Sequence, residues 1–146
     1  MLMNKNSLLY KSTRGNAKNL NFKDVIFEGL ASDGGLYMPD VWPKLDSNLI
    51  DSFSKMTYQE IAYHIYKPYL DDSINDEVLR EIINESCKNF TDKEITPLRR
   101  VSEKEYLLEL FHGPTYAFKD IAMQFISRLM DYYLKQDNKK INILGA

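Results

Sequence analysis

The fold of this chain turns on Glu105-Tyr-Leu-Leu-Glu-Leu-Phe-His-Gly-Pro-Thr-Tyr-Ala-Phe-Lys119-Asp120 and the apolar-striped segment that follows it to Leu134. Tyr106, Leu107, Leu108, Leu110 and Phe111 make a short apolar run, the pattern of a strand buried on both faces, and Gly113-Pro114 stops it. A helix is predicted next, starting at Thr115 to Ala117 with Thr115 as its cap and running to about Leu134. Phe118, Ile121, Ala122, Phe125, Leu129, Met130 and Tyr133 recur there at helical spacing. Asn138 ends the helix, and Ile141 to Leu144 reads as a second strand, parallel to the first. Together these make one βαβ unit of an open parallel sheet.

This reading puts Lys119 in the first turn of the helix, just past a buried strand, where open α/β sheets place their ligands. The positive end of the helix dipole disfavours a cation there, and the apolar neighbours Ala117 and Phe118 act in the same direction. A neutral lysine amine is the nucleophile that attack on an aldehyde requires. The plainer reading of the same residues is a solvated lysine near a helix start, with Asp120 beside it.

The nine residues His112-Gly-Pro-Thr-Tyr-Ala-Phe-Lys-Asp120 resemble the lysine motif of threonine synthases, pyridoxal-phosphate enzymes of fold type II. The resemblance implies that Lys119 carries pyridoxal 5′-phosphate and is the catalytic residue. It further implies that Phe118 packs near the cofactor ring and that His112 and Thr115 shape the pocket. The likeness extends to the start of the chain. Leu9-Tyr-Lys-Ser-Thr-Arg-Gly15, Phe22 to Leu30 and Ala31-Ser-Asp-Gly-Gly-Leu-Tyr-Met-Pro39 resemble the opening of threonine synthases, which related dehydratases do not share. Ser32 stands where the family often has proline or threonine. The implied reaction is conversion of O-phospho-L-homoserine and water to L-threonine and phosphate. A phospholyase on the same scaffold and a folded segment that binds no cofactor are the competing readings.

Composition narrows the classes. At 146 residues the chain is long enough for a real core, and 19 basic against 21 acidic residues leave a net charge of −2. That balance gives no electrostatic footprint for nucleic acid or an anionic membrane. Any phosphate binding would have to be local, and the small-molecule substrate is what the resemblance implies. The single cysteine, Cys87, shares an apolar helical stripe with Ile83 and Phe90 and reads as a packed thiol in a reducing, cytoplasmic setting. No metal site is expected, since His64 has no partner at a ligand spacing.

The rest of the chain reads as mostly helical. Asn21 caps a helix through Phe22, Val25, Ile26 and Leu30, which Ser32-Asp-Gly-Gly35 stops. Short strands are predicted near Leu8-Leu9-Tyr10 and Leu36-Tyr37-Met38. Between the first strand and the helix, Ser12-Thr-Arg-Gly-Asn16 is either a holder of phosphate or carboxylate or an ordinary polar turn. A short helix over Asn48 to Phe53 precedes one opened by a Thr57/Glu60 capping box, which Lys67-Pro68 should bend or end. Asn75 caps a further helix, Asp76 to about Asn89. Arg99-Arg100 reads as solvated.

The predicted fold class is therefore α/β: a largely helical N-terminal unit, residues 1–90, followed by residues 91–146 as the first βαβ unit of a pyridoxal-phosphate domain. In the family a Thr-Ser-Gly-Asp-Thr-Gly loop follows the position of Ala146. The chain is accordingly expected to be the truncated N-terminal part of an enzyme and inactive alone.

Overall fold

The computed structural model describes residues 8–143. These fall into two compact units, Met1–Glu81 and Ile82–Ala146, and the division lies within a helix.

In the first unit, β1 (Tyr10–Ser12) pairs antiparallel with β2 (Tyr37–Pro39), with Tyr10 opposite Pro39. Proline is tolerated there because it closes the strand. Between them, α1 (Phe22–Glu28) starts behind Asn21, whose Oδ1 accepts the Asp24 N–H at 2.9 Å, as the sequence predicts. The helix stops earlier than predicted. Gly29 takes φ +73° and its N–H donates to Val25 O, so Ser32 to Gly35 forms a separate turn rather than the helix stop.

Next come α2 (Ser47–Ser52), a 3₁₀ turn at Phe53–Lys55, and α3 (Tyr58–Leu70). The capping box opens α3 as expected. The Glu60 carboxylate accepts the Thr57 N–H at 2.7 Å and its hydroxyl at 2.8 Å, while the Glu60 N–H donates to Thr57 Oγ1 at 3.3 Å. Pro68 lies inside the last turn of α3, which ends at Leu70. His64 sits between aromatic neighbours, 6.4 Å from the Phe53 ring and 5.4 Å from that of Tyr63. Then α4 (Asp76–Cys87) begins behind Asn75, whose Oδ1 accepts the Glu77 N–H at 2.8 Å. Tyr10, Ala31, Ala62, Leu70, Ile74 and Leu79 form the buried core of this unit, and the Tyr10 hydroxyl donates to Tyr69 O at 2.7 Å.

In the second unit, the end of α4 is followed by β3 (Leu98–Arg100), β4 (Tyr106–Leu108) and α5 (Asp120–Gln136). Ile82, Ile83, Cys87, Ile95, Phe125, Leu129 and Tyr133 are its buried apolar residues. Ser86 Oγ lies 2.6 Å from Ile82 O and 3.1 Å from Gln124 O, which ties α4 to α5. Asn138 ends α5 as expected, with φ +51°.

The mixed helix-and-sheet class holds, but three details of the motif's surroundings differ from expectation. First, β4 is shorter than Tyr106 to Leu110 and pairs antiparallel with β3, and all of its residues are exposed. A tight turn, with Val101 N–H donating to Glu105 O at 2.9 Å, closes this hairpin at low entropic cost, whereas a parallel partner needs a long crossover. Secondly, residues 141–143 form no strand, and Leu144 lies outside the described residues. Thirdly, α5 starts at Asp120 rather than at Thr115 to Ala117.

Candidate functional site

The motif folds as two successive turns. The Tyr116 N–H donates to Gly113 O at 3.1 Å and the Asp120 N–H to Ala117 O at 3.0 Å, with Tyr116 in the left-handed region at φ +59°. Asp120, first residue of α5, is only 4% exposed. Its Oδ2 accepts both the N–H and the hydroxyl of Thr115, each at 2.8 Å. Such charge-assisted bonds are the stronger kind, and an acidic residue at a helix start also suits the dipole. Thr115 is therefore no cap of α5: it donates to a carboxylate that belongs to the helix. Gly113 is dictated by the same contact. A Cβ there would lie 2.4 Å from Asp120 Cβ and 2.5 Å from Oδ2, closer than any side chain tolerates.

Lys119 occupies the residue just before α5, with φ −61° and ψ −23°, and its carbonyl accepts the Met123 N–H at 2.9 Å. Sequence reasoning places it one turn deeper. Its side chain is exposed, and among the described residues no hydrogen bond or ion pair holds the amine. Phe118 is 64% exposed, so the apolar surroundings expected for Lys119 are not supplied by this neighbour.

His112 is anchored from several sides. Its Nε2–H donates to Glu109 Oε2 at 2.7 Å, Nδ1 lies 3.4 Å from Thr91 Oγ1, and its carbonyl accepts the Thr91 N–H at 2.9 Å. The Phe111 ring stands 4.7 Å away. Glu109 in turn lies 3.5 Å from Arg99 Nε, and Arg99 donates to Asp92 Oδ2 at 2.6 Å. Arg99 is solvent-exposed, as expected, and also joins the two carboxylates in an ion-pair chain. The Glu94 N–H, with Arg99 and His112 adding their charge, holds the Asp92 carboxyl below its usual range.

In the first unit, Ser12 to Asn16 is a polar turn, as one of its two readings has it, and its donors hold a carboxylate. The carboxylate is the chain's own. The Ser12 hydroxyl donates to Asp33 Oδ1 at 2.7 Å, the Asn16 N–H to Oδ2 at 2.9 Å, and the Gly35 N–H to Oδ1 at 2.9 Å. Arg14 donates to Asp33 O at 3.0 Å. The Ser12 hydroxyl first, then the Gly35 and Asn16 N–H groups and the Arg14 charge, hold the Asp33 carboxyl below its ordinary value. A Cβ on Gly35 would come within 2.2 Å of Ser12 Oγ.

Of the predicted site residues, the loop brings Thr115, Phe118 and Lys119 onto one short stretch, with His112 anchoring its entry. Sequence reasoning missed Asp33 and Asp120, whose roles depend on partners that folding brings to them. Lys119 fits the aldehyde of a pyridoxal cofactor: a primary amine on a clasped loop, with no anionic partner among the described residues. The donors of Thr115 and the Nε2–H of His112 are already committed, which suits them to holding the loop in shape. Among the described residues, no group of three His, Cys, Asp or Glu side chains is placed to hold a metal, and no helix is long and apolar enough to cross a membrane.

Comparison with known proteins gives consistent matches. The family profile described as threonine synthase N terminus matches residues 9–87. The threonine synthase of Pseudomonas aeruginosa is 43% identical over 137 residues, covering 94% of this chain and 29% of that protein. The Saccharomyces cerevisiae threonine synthase is 39% identical, covering 96% of this chain and 30% of its own length. A crystal structure of threonine synthase from Brucella melitensis with PLP bound superposes with a TM-score of 0.89 at 39% identity, covering 92% of this chain and 29% of that one. The chain spans under a third of the length of the relatives it matches.

Proposed function

Because the chain belongs to the threonine synthase family, we propose that it forms the N-terminal part of an enzyme that converts O-phospho-L-homoserine and water to L-threonine and phosphate. Residues 1–90 make its N-terminal domain and residues 91–146 the start of its cofactor domain, a division supported by the family match to residues 9–87. Pyridoxal 5′-phosphate, when bound, supplies the electron-withdrawing ring that stabilises negative charge on the substrate's carbons. The observation that carries the reading is Lys119, an exposed amine without an acidic partner among the described residues, on the loop that Asp120 clasps.

Lys119 holds the cofactor through its amine and, once the substrate amine has displaced it, moves a proton at the substrate's Cα. Phe118 offers an exposed aromatic face to the cofactor ring. Thr115 and His112 shape the pocket by fixing the loop at its two ends. The partner is a small molecule; neither nucleic acid nor membrane is part of the proposal. We place the enzyme in the cytoplasm, where a reducing milieu suits the buried free thiol of Cys87.

The test is a chimera in which this chain replaces the matched N-terminal segment of the Pseudomonas aeruginosa enzyme. It should form threonine from phosphohomoserine, and Lys119→Ala should lower turnover by at least about a thousandfold. Lys119→Arg should fail too, since guanidinium stays protonated. Undiminished turnover by the Lys119→Ala chimera would remove Lys119 from the mechanism. Preference for phosphothreonine over phosphohomoserine would instead make the enzyme a phospholyase.

A further inference from the structure

The residue after Lys119 is a carboxylate, yet the two do not pair. Asp120 faces inward, with Oδ2 held at 2.8 Å by both donors of Thr115. Gly113 lies against the same carboxylate, so close that a Cβ would stand 2.5 Å from Oδ2. The loop between them is short and closed by its own backbone bonds, and Tyr116 accepts a left-handed conformation to close it. The result separates two opposite charges that the sequence places side by side. A carboxylate that settled on the Lys119 amine would favour its ammonium form, which has no lone pair with which to attack an aldehyde.

Resting on the reading of Lys119 as the cofactor lysine, we infer that Thr115 and Gly113 are positioning residues that keep the Asp120 carboxylate inside the loop and so away from the Lys119 amine. Thr115 acts through Asp120 and need not touch the cofactor. Gly113 acts by the space it leaves empty. Both residues gain a role beyond turn formation, and the role makes a prediction that turn formation alone does not. Releasing Asp120 should harm Lys119 only while residue 120 carries a charge.

The experiment treats the 146-residue chain with pyridoxal 5′-phosphate and borohydride at neutral pH and low salt, and reads trapping at Lys119 by peptide mass. The amine nitrogen attacks the aldehyde carbon, water leaves, and borohydride hydride reduces the C=N bond to a stable secondary amine. Lys135, paired with Asp131 at 2.7 Å on the same helix, serves as internal control. Thr115→Val should slow trapping at Lys119 by about tenfold and leave Lys135 unchanged. Gly113→Ala, which evicts the carboxylate by contact, should do the same. Thr115→Ser should keep the original rate. Adding Asp120→Asn to Thr115→Val should restore it, and about 1 M salt should narrow the gap. Thr115→Val is nearly isosteric and carries the test if Gly113→Ala does not fold. Trapping of Thr115→Val at the original rate, or a double variant as slow as the single one, would overturn the inference. Trapping at Lys119 no faster than at Lys135 in the unvaried chain counts instead against Lys119 as the cofactor lysine, and the comparison among variants still decides whether Asp120 is sequestered.

Discussion

Single residues decide both turns of consequence, and each does so by giving a carboxylate partners that lie elsewhere in the chain. Asp33 gathers the Ser12 hydroxyl and the N–H groups of Asn16 and Gly35. Because its carboxyl is held below the ordinary value of 3.8, its contribution to stability is fully present above that value and is lost as pH falls through the folded one. Asp33→Asn should therefore unfold at lower temperature near neutral pH, and the melting curves of variant and parent should converge as the pH drops below about 3.8. A gap that stays constant as the pH falls would mean that the charge is not what matters. Gly35→Ala should destabilise the same turn by about 1–3 kcal/mol, measurable by urea titration, because its Cβ would meet Ser12 Oγ. Neither aspartate was legible in the sequence. The partners of Asp33 lie up to 21 residues away, and those of Asp120 depend on a left-handed tyrosine that no local pattern announces. Lys119 is singled out instead by nine consecutive residues that resemble one family motif.

Elements whose signals are local were the readable ones. Asn21, Thr57 with Glu60, and Asn75 each cap the helix assigned to them, since a cap and its helix lie within a few residues of one another. Thr57→Ala should accordingly cost about 1 kcal/mol in a denaturation experiment. At the far end of α5, Asn138 sits at φ +51°, a conformation that glycine adopts without strain. Asn138→Gly should leave stability unchanged or raise it by up to about 1 kcal/mol, while Asn138→Val should lower it; the same titration distinguishes the two. The sheet was harder to read. An apolar run says that a strand is present without naming its partner, so the sequence predicts a buried parallel strand over Tyr106 to Leu110 where Tyr106–Leu108 is one arm of an exposed hairpin. The start of α5 was misplaced for a related reason: Phe118 continues the helical stripe in sequence, yet it belongs to the turn in which Asp120 is locked.

At the scale of the molecule, the hairpin leaves an apolar surface open. Leu98, Tyr106, Leu107 and Leu108 are each more than half exposed, and so is Val101 beside them. Such a surface on a strand pair favours association. The 146-residue chain should bind a hydrophobic dye and scatter light increasingly with concentration, and Leu107→Lys should reduce both signals; a monodisperse chain with no dye binding would contradict this. The interior of the second unit has the opposite character. Cys87, the only cysteine in the sequence, lies buried at the end of α4, and burial pushes its thiol pKa up. A thiol reagent reaches it freely only when the packing around it opens. The rate of its modification therefore equals the opening equilibrium multiplied by the rate for a free thiol, as long as closing is fast. The chain carries its own clock: one thiol, timed against an unfolded standard, reports how often the packing around the end of α4 opens.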